Sequence, residues 1–287
     1  KEDGGGLNMR QVVEDICRLS SNCYTIVDEE ERAVGIGLFP VAALMNHSCS
    51  PSCVQSFRGR SMQLRALKDI EEGEELSLSY VDPAEPLAVR QEELRRRYLF
   101  SCSCFLCAGE GPKAEDEEKT RVLAGSSREA EKRVDGLLRM AREAAGAPAR
   151  PETVLEQQLD AIKAAELVLG PHNVKLLRAR EEALAVSIEV QSWGVADELS
   201  SRIIESYRRL YPPGFPVVGV QLAMHGKIKM QLNDIQHARV LLSEGIDILR
   251  RARGEKSRMM EEAKSLLQEI EWEAHGYGRF CEDMSKK

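Results

Sequence analysis

Residues 46–53 read NHSCSPSC and directly follow the apolar run LFPVAALM. One histidine, two cysteines and three serines within this octapeptide are compatible with a polar turn or with part of a binding site. Composition alone does not separate these two possibilities. The rest of the chain has to supply the partners that a binding site would need.

A second cysteine group reads SCSCFLC and places Cys102, Cys104 and Cys107 in a C-x-C-x-x-C spacing. Closely spaced cysteines are typical ligands of structural zinc, which needs four donors in a tetrahedron. The spacing supplies three ligands, and either Cys49 or Cys53 of the first stretch could be the fourth. Five of the eight cysteines lie in these two groups, which indicates metal binding in a reducing compartment rather than disulfides.

The bulk composition limits the class of protein. The chain has 287 residues, enough for one large or two ordinary domains with their own cores. With 43% hydrophobic and 30% charged residues it has a globular composition, and no apolar run is long enough for a membrane span. A net charge of -7 argues against direct binding to nucleic acid. The first residues, KEDGGGLN, lack an initiator Met and a signal pattern, so we expect a piece of a longer chain.

The two halves of the chain have different secondary-structure patterns. Up to about residue 110, CYTIV, QLRAL and ELSLSYV have the composition of strands, with a glycine turn between the last two. Before them, LNMRQVVEDICRLSS has the apolar spacing of a helix. Residues 111–150 are charged and punctuated by Gly and Pro, which predicts a connector around one helix. From residue 151 onward, amphipathic windows predict roughly six helices.

The helical half contains an internal repeat. Aligning SWGVADELSSRIIESYRRLYP with DIQHARVLLSEGIDILRRARG pairs Ala196 with Ala238 and Leu199 with Leu241, at an offset of 42 residues. This period lies in the range of tetratricopeptide (TPR) and related helix-pair repeats. The pattern favours antiparallel helix pairs stacked into an array, and a plain helical bundle is the alternative. The predicted fold class is therefore α+β, with a β-rich segment followed by an all-α array.

Three motifs, in this order, resemble the SET and MYND domain-containing (SMYD) lysine methyltransferases: NHSCSPSC, GEELSLSYVDP and RRRYLFSCSCFLC. The resemblance implies a SET-type catalytic segment with a post-SET zinc site and a TPR-like helical C-terminal domain. The implied domain ranges are 1–83 for the C-terminal part of the SET domain, 84–110 for the post-SET zinc module, 111–150 for the connector and first helix, and 151–287 for the helical array.

The resemblance also implies site residues, which share one methyl-transfer pocket and the zinc site beside it. The implied residues are Tyr80 for catalysis and cofactor contact, Asn22, Asn46, His47 and Phe100 for S-adenosylmethionine, Tyr24 and Tyr98 for the substrate-lysine channel, and Cys49, Cys102, Cys104 and Cys107 for one structural zinc ion. Methyl transfer needs its reacting atoms nearly in line, so a narrow aromatic channel suits it. An apolar channel also lowers the pKa of the lysine amine. We expect Tyr80 to orient the neutral amine rather than to act as a general base.

The chain departs from the family's pattern in two ways. The Gly-x-Gly cofactor segment, the MYND module and the first SET strands have no counterpart in it, and Ser52 replaces the second Asn of the usual NHSC-x-P-N segment. We therefore expect a fragment of an S-adenosylmethionine-dependent protein-lysine N-methyltransferase, acting on histone or non-histone proteins, with weak or no activity on its own. The alternatives are a TPR-like peptide-binding scaffold with an inactive SET remnant, and a zinc-stabilised interaction module of another kind.

Expected partners follow from the same resemblance. They are a protein substrate with an acceptor lysine and, on the helical array, a peptide or chaperone tail. We expect a monomer in the cytoplasm or the nucleus, without a membrane or nucleic-acid partner.

Overall fold

The computed structural model describes residues 8–108, 113–146, 149–255 and 257–284. For residues 113–116 and 273–284 it describes the backbone and not the side chains. Parts of the predicted domains, namely residues 1–7, 109–112, 147–148, 256 and 285–287, lie outside the described residues. The described elements in chain order are α1 (Met9–Asn22), β1 (Cys23–Val27), β2 (Ala33–Leu38), β3 (Asn46–His47), β4 (Cys53–Arg58), β5 (Ser61–Ala66), β6 (Ser77–Leu78), α2 (Leu87–Tyr98), α3 (Lys113–Thr120), α4 (Arg128–Ala145), α5 (Pro151–Glu166), α6 (Val174–Glu189), α7 (Trp193–Leu210), α8 (Pro216–Gln231), α9 (Ile235–Arg253) and α10 (Arg258–Met284). The predicted α+β fold class is confirmed.

The strands pair two by two. β1 with β2 and β4 with β5 are antiparallel, whereas β3 and β6 are parallel. The strands predicted at CYTIV and QLRAL are confirmed, but β2 and β4 were not predicted. The strand predicted over ELSLSYV is wrong beyond Ser77–Leu78. It ends there because the main-chain nitrogen of Tyr80 donates to the His47 ring, at 3.0 Å, instead of to a neighbouring strand.

The predicted helix before β1 is confirmed as α1. Its N-terminus is capped by Asn8, whose Oδ1 accepts a hydrogen bond from Arg10 N at 3.1 Å. The apolar residues of α1 are at helical spacing, yet Val13, Ile16 and Leu19 are exposed. Sequence periodicity therefore predicted the helix correctly, although α1 contributes no buried residue to the core.

The helical half consists of three helix pairs with a constant repeat. α5, α7 and α9 begin at residues 151, 193 and 235, and α6, α8 and α10 begin at residues 174, 216 and 258, so each pair recurs after 42 residues. The main contacts of each of these helices are with its neighbours in sequence. This arrangement is typical of an array rather than a bundle, which confirms the predicted architecture.

The stretch 111–150 differs from the prediction of a connector around one helix, because it contains both α3 and α4. Ser127 caps α4, with its Oγ accepting from Ala130 N at 3.1 Å. α4 packs against α5, and Val134 belongs to the same buried cluster as the first helices of the array. The charged composition that suggested a connector belongs to the exposed face of an amphipathic helix.

The β-rich part is attached to the array by its hairpins. The guanidinium of Arg253, at the end of α9, pairs with Glu31 in the turn between β1 and β2. Arg65 of β5 donates through Nε to Arg251 O at 2.7 Å. Ala252 packs into a small cluster of buried β-segment residues beside these contacts. These contacts join both hairpins to α9.

None of the helices in the described part of the chain is long and apolar enough to cross a lipid bilayer.

Candidate active site and metal centre

Four cysteine sulfurs converge at the end of the β-rich part. The Sγ atoms of Cys49, Cys102, Cys104 and Cys107 all lie within 4.8 Å of one another. Cys49 is buried and the other three are half-buried. Tetrahedral zinc with Zn–S bonds of about 2.3 Å separates its sulfurs by about 3.8 Å. The cluster therefore has the size and the donor type of a structural zinc site, and Cys53 is not part of it.

The loop that carries three of these cysteines is fixed by its own turn and by α2. Cys107 N and Ala108 N both donate to Cys104 O, at 2.8 and 2.9 Å. The Gln91 amide brackets Cys102, donating to its carbonyl at 2.7 Å and accepting from its nitrogen at 3.0 Å. These contacts fix the loop that carries the three sulfurs.

Arg90, next to Gln91 on α2, places a positive charge beside the cluster. Its side chain is almost fully buried, with 1% of the residue exposed. Nη2 lies 3.8 Å from Cys107 Sγ, and Nη1 donates to the carbonyl oxygen of Glu85. Burial alone would lower the pKa of Arg90, but the neighbouring sulfurs of Cys49 and Cys107 raise it. Four thiolates around a divalent zinc ion carry an excess of negative charge, which a buried guanidinium offsets.

His47 links the cysteine cluster to Tyr80. Its Nδ1 accepts from Tyr80 N at 3.0 Å, and its Nε2 lies 3.2 Å from Cys49 Sγ. Because Nδ1 is an acceptor, the proton of the neutral ring is on Nε2 and is donated to the sulfur. Burial lowers the pKa of His47 to about 4, which keeps the ring neutral at pH 7. Both ring nitrogens are thus engaged within the protein.

Tyr80, Tyr98, Phe100 and His47 form an aromatic cluster. The Tyr80 ring centroid lies 4.8 Å from that of Tyr98, 5.2 Å from that of His47 and 6.5 Å from that of Phe100. α2 ends at Tyr98, and Leu99 adopts the left-handed conformation with φ 61°. This cap reverses the chain so that both aromatic residues flanking Leu99 contact Tyr80. Leu99 itself is 88% exposed.

The hydroxyl groups of Tyr24 and Tyr80 donate to main-chain carbonyls. Tyr24 donates to Ala42 O at 2.7 Å, and Tyr80 donates to Met45 O. Burial, with a smaller contribution from the neighbouring tyrosines, raises the pKa of Tyr24 to about 12. Burial and Tyr98 also raise the pKa of Tyr80. Both phenols therefore stay protonated at pH 7, and their oxygens can still accept a hydrogen bond from an amine.

Two cavities border the aromatic cluster. The larger, about 650 Å³, is lined by Asn22, Tyr24, Tyr80 and Tyr98 among other residues. The smaller, about 420 Å³, is lined by residues that include His47, Phe100 and two of the clustered cysteines. The rings that line the two cavities contact one another. Molecules bound in the two cavities could therefore meet at the aromatic cluster.

The structure places the two predicted cofactor asparagines beside different cavities, because Asn46 is bonded to Glu75, which lines the smaller one. Asn22 lies with the tyrosines in the larger cavity, and its Nδ2 donates to Arg18 O at 2.7 Å. Asn46 is exposed, and its Nδ2 donates to Glu75 Oε1 at 2.6 Å. The contacts predicted between these residues and S-adenosylmethionine stay predictions, as do the roles of Tyr80, Tyr98 and Phe100.

Sequence reasoning missed Arg90 and Gln91, which hold the cysteine loop. One signal was available, because Arg90 precedes the buried Leu94 by four residues and so shares its helix face. A charged residue at a core-facing position of a helix needs a partner. In the sequence, Arg90 lies between the two cysteine groups, so their cysteines were candidate partners.

Comparison with known proteins agrees with this geometry. The SET domain family matches residues 9–81. Histone-lysine N-methyltransferase ASHR1 of Arabidopsis thaliana is 28% identical over 93% of this chain and 62% of its own length. Histone-lysine N-methyltransferase SMYD3 of Homo sapiens is 30% identical over 90% of this chain and 58% of its own length, and N-lysine methyltransferase SMYD2 of Gallus gallus is 30% identical over 88% and 58%.

The parallel pair β3 and β6, the aromatic cluster and the adjoining cysteines define a SET-type protein. The chain spans about three fifths of the length of the curated relatives described above. Its match extends through both the β-rich part and the helical array. The chain belongs to the SET and MYND domain-containing (SMYD) family.

Proposed function

We propose that the whole protein transfers a methyl group from S-adenosylmethionine to a lysine side chain of a protein substrate. The observation that carries the proposal is the aromatic cluster around Tyr80, which is bordered by two cavities. Relatives named histone-lysine N-methyltransferase and N-lysine methyltransferase support the same chemistry. The acceptor would enter from the tyrosine-lined cavity and the methyl donor from the cavity beside the cysteines.

The smaller cavity fits the donor in its mixture of groups. Phe100 offers a half-buried ring to a flat base, while Lys68 and Glu75 offer charges of both signs to an amino-acid tail. When bound, S-adenosylmethionine supplies an electrophilic methyl group on a positively charged sulfur. His47 would help to shape this cavity, because its two hydrogen bonds fix its ring beside Phe100, at a centroid distance of 5.9 Å.

The larger cavity fits a lysine side chain. Tyr24, Tyr80 and Tyr98 contribute three rings to its lining, which would desolvate an amine and lower its pKa. Because the Tyr80 hydroxyl already donates to Met45 O, its oxygen would accept from the amine and orient the lone pair. Tyr80 then acts by positioning, since its own raised pKa keeps it protonated at neutral pH. The proton lost by the lysine ammonium would pass to solvent in the open part of the cavity.

A zinc ion held by the four clustered cysteines would stabilise the loop that follows Phe100. The ion would be structural, because four sulfurs leave no open position for a reacting group. Its effect on the reaction would be indirect. It would hold Cys49, whose sulfur contacts His47, and Cys102, which follows the aromatic ring of Phe100 by two positions.

The proposal is tested with the protein expressed from its complete reading frame. Zinc content is measured first, so that a negative result cannot come from a metal-free preparation. The protein is then incubated with S-adenosylmethionine carrying a deuterated methyl group and with histones or a lysine-containing peptide library. We expect mass spectrometry to find the labelled methyl group on lysine and not on matched peptides with Lys replaced by Arg. A folded, zinc-loaded protein that labels no lysine in any of these substrates would contradict the proposal.

A second candidate function is peptide binding by the helical array. It is favoured by a cavity of about 400 Å³ between α8 and α10, lined in part by Met230 and Leu266. Fluorescence anisotropy with labelled chaperone-tail peptides would test it. Micromolar binding that is lost when Leu266 is replaced by Glu would support it, whether or not the protein is active.

A further inference from the structure

The main chain makes a tight turn directly after Tyr80, in the sequence DPAEP at residues 82–86, named here the 82–86 turn. Asp82 Oδ1 accepts from Ala84 N at 2.9 Å, and Asp82 O accepts from Glu85 N at 3.1 Å. Asp followed by Pro is a favoured beginning of a type I turn. The local sequence therefore sets the conformation of the turn, and other contacts have to set its position.

Cations from three helices converge on the 82–86 turn. Arg90 of α2 donates to Glu85 O, and Lys119 of α3 donates through Nζ to Pro83 O at 2.8 Å. Arg178 of α6 contacts both acidic side chains of the turn, with Nη2 pairing with Asp82 Oδ2 and lying 3.2 Å from Glu85 Oε1. Ala84 is fully buried and belongs to the core of the helical array. The turn is therefore part of the array as much as of the β-rich segment.

The contacts of Arg178 continue into the array. Its Nη1 lies 3.1 Å from Glu181 Oε1, and that oxygen accepts from the Tyr207 hydroxyl at 2.8 Å. The Tyr211 hydroxyl donates to Asp82 Oδ2 at 3.2 Å, beside the Arg178 contact. Asp82 and Tyr211 line the larger cavity, whereas Arg178 is not among the described residues that line it. Its contacts with the cavity wall therefore run through Asp82 and Glu85, which both line the cavity.

We infer that Arg178 is a positioning residue for Tyr80, and that it couples the placement of the helical array to the methyl-transfer site. The inference rests on the proposed function. His47 fixes the main-chain nitrogen of Tyr80, and Arg178 fixes Asp82 two positions later, so the chain between these two points has little freedom. Without Arg178, Asp82 keeps the Tyr211 hydroxyl and the turn's own hydrogen bonds but loses its charged partner, so the segment that carries Tyr80 can shift. A displacement of about 1 Å at a catalytic group can lower turnover by up to about a hundredfold.

A charge-balanced variant separates this role from a general loss of stability. Removing Arg178 alone would leave the carboxylates of Asp82, Glu85 and Glu181 without their shared cation, and could unfold the protein. The variant Arg178→Met with Glu181→Gln removes one positive and one negative charge together. Glu181→Gln alone is the matched control, because it keeps Arg178 on Asp82 and Glu85, and its amide oxygen can still accept from Tyr207.

We expect the double variant of the whole protein to have a kcat at least about tenfold below that of Glu181→Gln, with the peptide KM changed only a few-fold. Arg178→Lys with Glu181→Gln should restore part of kcat, since an ammonium group keeps the charge but not the fork geometry. The KM comparison shows whether the cavity itself has been damaged.

A second readout does not depend on activity. With 3-fluorotyrosine at position 80, the ¹⁹F resonance should shift in the double variant and stay unchanged in Glu181→Gln. In an active protein, an unchanged kcat or an unchanged resonance in the double variant overturns the inference. If the unmodified protein transfers no methyl group, the proposed function fails, and the ¹⁹F comparison alone decides whether Arg178 positions Tyr80.

Discussion

Replacing Arg90 with Met is expected to weaken zinc binding at the four-cysteine cluster. Arg90 Nη2 lies 3.8 Å from Cys107 Sγ, in a site where Arg90 is 1% exposed. Opposite unit charges about 4 Å apart attract by about 4 kcal/mol at an effective dielectric constant of about 20. A loss of roughly 2–4 kcal/mol, from half to all of this attraction, corresponds to a zinc dissociation constant raised about 30- to 700-fold.

Competition with a chromophoric chelator at pH 7.4 measures this dissociation constant directly. Arg95→Met is the matched control, because Arg95 lies on the same helix, is 58% exposed at its side chain and pairs only with Glu92 among the charges described here. We expect the control to change zinc affinity by less than about threefold, as exposed ion pairs contribute little. Equal affinities for Arg90→Met and Arg95→Met would refute the electrostatic reasoning.

Further results are expected for four variants. Gly245→Ala should lower the free energy of unfolding in urea by about 1–3 kcal/mol, because its Cβ would lie 3.0 Å from Gly219 O in the contact between α8 and α9. Gly136→Ala should instead raise the free energy of unfolding by about 0.5–1 kcal/mol, since nothing lies within 4 Å of a Cβ at this position. If both substitutions changed stability in the same direction, the packing argument would be contradicted. Leu99→Gly should raise the free energy of unfolding by up to about 1 kcal/mol, because glycine adopts the left-handed conformation of this exposed cap without strain. A loss of stability would show that the Leu99 side chain makes a stabilising contact. Burial raises the pKa of Tyr24 to about 12, so the stability gained by burying the neutral phenol is complete below about pH 10 and is lost as the pH rises through the folded-state value. Between about pH 10 and pH 12, the free energy of unfolding should therefore fall more steeply with pH in the native protein than in Tyr24→Phe. Equal pH dependence of the two proteins would rule this explanation out.

The helical half was predictable because its signals are local. Apolar periodicity marks each helix, and the alignment of α7 with α9 gave the 42-residue offset that the structure extends to all three pairs. The same local reasoning misread 111–150, since the buried face of α4 is defined by helices that come later in the chain. It also overextended β6, because a histidine ring replaces the strand partner of Tyr80.

The candidate site could be predicted only in part. The C-x-C-x-x-C spacing indicates metal, but spacing alone favoured Cys49 over Cys53 only slightly, and the resemblance decided between them. The structure brings Cys49 into the cluster, although it is separated by many residues from the other three. The contact between Arg178 and Asp82 joins residues 96 positions apart, and no local pattern encodes such a pair. Contacts of this kind depend on how the two halves pack.

The central claim is that Tyr80 positions the acceptor amine for methyl transfer, and a single pair of variants tests it most directly. Tyr80→Phe and Tyr207→Phe each remove one phenolic hydroxyl group. The Tyr207 hydroxyl lies inside the array, where it donates to Glu181 at 2.8 Å. With the whole protein and a methylated peptide as product, Tyr80→Phe should lower kcat by at least about tenfold while cofactor affinity stays within a few-fold. Tyr207→Phe should retain most of its turnover. Normal turnover of Tyr80→Phe would contradict the account.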